Sequence, residues 1–149
     1  MQNNAVGAVL EDLIETLEDG RKGFQEAAEK LRAGGHGDLA QKMSEYSAQR
    51  GRFSAELRKV AGSMGHEIKE SGSAAGALHR GWIAVKDALT GDDAHAILAA
   101  AETGEDHAVD QFEDVLTKEL PSDIQDVVAK QATAVRAAHD AVKALRDQN

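Results

Sequence analysis

The sequence predicts an all-α protein, a four-helix bundle folded as one domain over residues 1–149. Three observations predict it. Apolar residues return at intervals of three, four and seven along four long segments. A single proline interrupts the chain, and aromatic residues make up only 3% of it, which suits helices far better than a sandwich or barrel. With 42% hydrophobic residues there is apolar material for one sizeable core.

The first helix is expected from Ala5 to about Arg32, with Val6, Leu10, Leu13, Leu17, Phe24 and Leu31 on one face and charge on the other. Gly34-Gly35-His36-Gly37 supplies the permissive backbone of a helix end, and Gly37 or Asp38 starts the next element. From Leu39 to Met64 two series repeat every seven residues, Leu39, Tyr46, Phe53, Val60 and Met43, Arg50, Leu57, Met64, the spacing of a bundle seam. One member of that seam is an arginine.

Residues 62–73 are rich in Gly and Ser and read as a connection, after which Leu78, Trp82, Val85 and Leu89 mark a shorter, fifth helix. Trp82 is expected to anchor it to the bundle. Thr90-Gly91-Asp92-Asp93 ends it and offers Thr90 or an aspartate as the next N-cap. The third long helix passes through Ile97, Leu98, Ala101, Ala108, Phe112, Val115 and Leu116 and stops near Leu120-Pro121. Ser122 is placed to cap the last helix, whose stripe is Ile124, Val127, Val128, Val135, Ala138, Val142 and Leu145. Arg146 falls at the negative end of its dipole.

Lengths constrain the topology. Four helices of about 26 residues each span roughly 39 Å, and short loops make the first and last pairs antiparallel hairpins. Between the second and third long helices lie almost thirty residues, enough to cross the bundle's length. A four-helix bundle with one long crossover is the ferritin-like arrangement.

Charge and composition exclude several roles. The 17 Lys plus Arg stand against 26 Asp plus Glu, a net charge of −9, so phosphate backbones and anionic lipid surfaces are poor partners for this acidic protein. Charges break every apolar run before it reaches membrane-spanning length, and Met1-Gln2-Asn3-Asn4-Ala5 begins no secretory leader. The expected location is the cytoplasm. The absence of cysteine rules out disulfides, thiolate metal sites and cysteine nucleophiles.

Four segments also carry a family likeness: Leu17-Glu18-Asp19-Gly20-Arg21-Lys22-Gly23-Phe24, Gln49-Arg50-Gly51-Arg52-Phe53-Ser54-Ala55-Glu56-Leu57, Gly104-Glu105-Asp106 and His139-Asp140-Ala141-Val142-Lys143. Through them nearly the whole chain resembles a largely uncharacterised bacterial family of small ferritin-like four-helix-bundle proteins. The resemblance implies the fold. It implies no settled activity, because the family has none and some members are linked only to stress responses.

Folding the hairpins about their loops brings Glu18, Arg50, Glu105 and Gln131 to one level at mid-bundle, with Arg50, Glu105 and Gln131 falling within apolar series. Gly20, Gly51 and Gly104 cluster at the same level, although a mid-helix glycine costs about 1 kcal/mol relative to alanine. Something there needs room.

Two readings of this layer compete. In the first, Arg50 is the cation of a buried network with Glu18 and Glu105, and Gln131 satisfies the remaining donors and acceptors. In the second, the layer holds a di-iron or di-manganese carboxylate centre, which in ferritin-like proteins takes a Glu from each of two helices and Glu-x-x-His from the other two. The candidate ligands are then Glu18, Glu102, Glu105 and His139. The Glu-x-x-His positions read Gln49-Arg50-Gly51-Arg52 and Gln131-Ala132-Thr133-Ala134 instead, and a permanent cation beside a dication is unfavourable.

The remaining features carry little chemistry. No two of the six histidines lie three or four apart, so helical zinc motifs are absent. His36, His66 and His95 fall in or near loops, and Asp92-Asp93 reads as a cap, lacking the spaced ligands of a calcium loop. Asp106 and His107 are adjacent on a helix and so point to different sides, and no nucleophile motif accompanies them. The expectation is therefore a non-catalytic bundle protein with no cofactor, acting through a homodimer or a protein partner. A metal-dependent oxidase or metal-handling protein is the alternative.

Overall fold

The computed structural model describes residues 3–66, 68, 82 and 93–149. They form four helices, α1 (Asn3–Ala33), α2 (Gly37–Ser63), α3 (Ala94–Leu116) and α4 (Ser122–Gln148), with no strand among the described residues. The expected fifth helix over Leu78–Leu89 lies outside them, apart from Trp82.

Helices α1 and α2 end by the same device. At the first end His36 N–H reaches the Leu31 carbonyl at 2.8 Å and Gly35 N–H that of Arg32 at 3.1 Å; at the second, His66 N–H reaches Ala61 at 3.0 Å and Gly65 N–H reaches Gly62 at 3.0 Å. Both are the paired bonds of a Schellman ending, which needs one left-handed residue. Gly35 (φ 83°) and Gly65 (φ 77°) supply it.

Two terminus expectations change. Helix α3 stops at Leu116, short of Leu120-Pro121, because Thr117 turns back on the helix. Its N–H and Oγ1 both donate to the Asp114 carbonyl, at 3.1 and 2.6 Å. Ser122 does not cap α4: Pro121 holds the N-cap place, without a side-chain bond, and Ser122 is already the first helical residue. At the start of α3 the cap is Asp93, whose carboxylate accepts from Ala96 N–H at 3.2 Å.

Helix direction follows from two apolar clusters. One gathers Val6, Leu10 and Leu13 of α1, Leu57 and Ala61 of α2, Phe112 and Val115 of α3, and Ile124 and Val128 of α4. The other gathers Phe24 and Leu31, Ala40 and Met43, Ile97 and Leu98, and Val142. The ends of α2 and α3 therefore share one pole and their starts share the other. The two helices run parallel, so the chain must pass from one pole to the other between them, as a crossover connection requires. The hairpins α1–α2 and α3–α4 meet mainly along α1 and α3, while α2 and α4 touch sparsely. No helix among the described residues is long and apolar enough to cross a membrane.

Candidate functional site

Between the two apolar clusters lies a polar layer. Arg50, on the inner face of α2, is 1% exposed and Glu105, on α3, is 0% exposed. The guanidinium clasps the carboxylate through both terminal nitrogens, Nη1 donating to Oε1 and Nη2 to Oε2, the second at 2.7 Å. Nε donates to Gln49 Oε1 at 3.3 Å, and the cation stands 5.2 Å from the centre of the Phe24 ring. Arginine's planar fork matches a carboxylate edge, so one pair consumes both charges.

Phe24 is the hub of an aromatic group. Its ring centre lies 5.4 Å from that of Tyr46 and 5.0 Å from that of Trp82, the latter edge-on. Burial raises the Tyr46 pKa above its ordinary value of 10.0, the Glu105 and Glu45 carboxylates raise it further, and Arg50 opposes them.

The glycines at this level divide by what they face. A β-carbon on Gly23 would stand 2.1 Å from Trp82 Cε3, and one on Gly104 2.4 Å from Trp82 Cε2. The indole is wedged between the backbones of α1 and α3 at Gly23 and Gly104. On Gly20 a β-carbon would make only ordinary contact with Arg50, at 3.6 Å, and on Gly51 it would meet the Arg21 side chain at 3.3 Å. The space inferred from sequence is thus occupied chiefly by Trp82.

The other expected members of the layer have different partners. Glu18 pairs one turn along its own helix with Arg21, both contacts at 3.3 Å, because Arg50 is already committed to Glu105. Buried Gln131 bridges α4 to α2, donating to Glu56 Oε1 at 2.7 Å and the Phe53 carbonyl at 3.2 Å. Its Oε1 accepts no bond from a described residue.

The candidate metal ligands do not converge on one point either. Glu105 is held by Arg50 and Glu18 by Arg21. Glu102 and His139 do approach, with Glu102 Oε1 3.9 Å from His139 Nε2, and the third group beside them is Asp106, 2.5 Å from the same nitrogen. Asp140 Oδ1 lies 3.1 Å from His139 Nδ1, and Arg146 pairs with Glu102. Burial works to lower the His139 pKa, but hydrogen bonds with Asp140 and Asp106 outweigh it and hold the value above the usual one. Treating Asp106 only as a neighbour of His107 missed this cluster. The signal was there: Glu102 and Asp106 are four apart on one helix face.

Comparison with known proteins agrees with this architecture. No curated protein sequence matches the chain. Among solved structures, a mutant of Mycobacterium smegmatis Dps1 superposes with a TM-score of 0.81, at 14% identity, over 97% of this chain and 96% of that one. At that identity the likeness shows the fold alone, a ferritin-like four-helix bundle. A family model described as a domain of unknown function, DUF2383, matches residues 5–118, and the chain belongs to that family.

Proposed function

We propose that this is a non-catalytic, cytoplasmic, stress-associated bundle protein that acts through self-association or protein contact. A buried ion pair stands in it where a catalytic relative would carry a metal pair. One observation carries the reading: the Arg50 guanidinium lies inside the bundle with both arms on Glu105. A dication at that level would face a permanent cation and compete with it for the same carboxylate. The Glu-x-x-His positions, filled by Gln49-Arg50-Gly51-Arg52 and Gln131-Ala132-Thr133-Ala134, support the same conclusion. The stress association rests on the sequence resemblance described above.

The test combines aerobic Fe(II) oxidation, metal content by mass spectrometry on untagged protein prepared without chelator, and light scattering. Oxidation at the background rate, no iron or manganese pair per chain, and a mass that rises with concentration are expected. Two ions per chain whose retention is lost in Glu18→Gln and Glu105→Gln would replace this reading with the di-iron or di-manganese alternative. A concentration-independent monomer mass would remove self-association.

A further inference from the structure

We infer that the outer side of the α3–α4 hairpin carries a mononuclear site for a first-row transition-metal dication, with Glu102, Asp106 and His139 as its protein ligands. It lies apart from the Arg50–Glu105 pair: it keeps Glu102 and His139 of the residues expected for a di-metal centre, adds Asp106, and uses neither Glu18 nor Glu105. Glu102 and Asp106 project from successive turns of α3 toward His139 on α4. One ligand atom from each lies within 4.8 Å of the others. His139 Nε2 is 2.5 Å from Asp106 Oδ1 and 3.9 Å from Glu102 Oε1. An ion bound tetrahedrally at about 2.1 Å from each donor needs donor separations of about 3.4 Å, so small side-chain rotations in both directions suffice.

Groups outside the triad orient the ligands. Asp140 Oδ1 stands 3.1 Å from His139 Nδ1, which suits Nδ1–H as donor, so that a metal ion would displace the Nε2 proton now shared with Asp106 and take the lone pair on that nitrogen. This is the way metal-binding imidazoles are ordinarily held. Arg146 takes the Oε2 side of Glu102, leaving Oε1 toward the histidine, and is itself fixed by Asp147 at 2.8 Å. The Glu102 and His139 side chains are only 12% and 13% exposed, while Asp106 is 59% exposed. Two ligands are therefore nearly buried, and the third stands at the mouth where an ion enters. One imidazole with two carboxylates suits zinc, manganese or ferrous iron better than magnesium or calcium, which favour oxygen alone. The carboxylates of Glu102, Asp106 and Asp140 outnumber the nearby Arg146, so the pocket attracts a cation.

The experiment is calorimetric titration of untagged, metal-stripped full-length protein with zinc chloride, alongside thermal melts with and without zinc. One zinc per chain and a zinc-dependent rise in melting temperature are expected. His139→Ala should abolish both, and Asp140→Asn should weaken binding by about 10-fold or more. Glu18→Gln should leave binding unchanged. Melts without zinc show whether each variant is folded, so a loss of binding cannot be mistaken for a loss of structure. No saturable binding by the wild type, or wild-type affinity in folded His139→Ala, would overturn the assignment. Zinc retained by His139→Ala but lost in Glu18→Gln would overturn both this site and the metal-free centre, whereas failure at His139 alone leaves the Arg50–Glu105 reading intact.

Discussion

The Trp82 indole occupies the place a β-carbon on Gly104 would need, 2.4 Å from Cε2. Neither can shift cheaply, since the ring is flanked on its other side by the backbone at Gly23. Gly104→Ala is therefore expected to destabilise the protein by about 1–3 kcal/mol, despite alanine's better helix propensity. The chain's one tryptophan should move to a wetter environment, read as a red shift in emission.

Gly20→Ala is the matched control. Its β-carbon meets Arg50 at an ordinary 3.6 Å, so the helix-propensity gain of about 0.5–1 kcal/mol should survive. Urea denaturation of the two variants should give effects of opposite sign. Equal effects would mean that Trp82 does not sit between the helices.

Titration of Tyr46 tests the electrostatics of the aromatic group. Burial and the Glu105 and Glu45 carboxylates hold its phenol protonated above the ordinary value of 10.0. An acid whose folded pKa is raised contributes stability that is fully present below the unfolded pKa and is lost as pH climbs through the folded one. Stability should decline from about pH 10 upward. As the chain has one tyrosine, its ultraviolet absorbance should titrate later in folded protein than in urea, and later still in Arg50→Met, where the opposing cation is gone.

Asp93 tests the start of α3. Its carboxylate is the side-chain cap seen at that end, bonded to Ala96 N–H at 3.2 Å. Asp93→Ala should cost about 0.5–2 kcal/mol in denaturant unfolding, whereas Ser122→Ala, which removes no cap, should be close to neutral.

Much of the architecture was legible because periodicity, glycine breaks and connection length point the same way. Leu10, Leu57, Phe112 and Val128 declare their faces by spacing, and the crossover follows from the thirty residues between two long stripes. Arg50 declared itself as a charge in an apolar seam. Its choice of Glu105 over Glu18 was not legible: both sit at the same level, and only side-chain geometry shows that Glu18 reaches Arg21 on its own helix. The Trp82 wedge was hidden for a different reason, since Gly23 and Gly104 are distant in sequence and only the packed helices make them two walls of one slot. Glu102, Asp106 and His139 likewise meet across two helices, which pattern along one helix does not reveal.

A double-mutant cycle at Arg50 and Glu105, followed by denaturant unfolding, tests the central claim most directly. Arg50→Met and Glu105→Leu each leave one buried charge without its partner, and each should cost about 3–5 kcal/mol. The double variant leaves none and should be more stable than either single variant, giving a large coupling energy. Losses that simply add, or an Arg50→Met protein as stable as the wild type, would contradict a buried Arg50–Glu105 pair at the centre of the bundle.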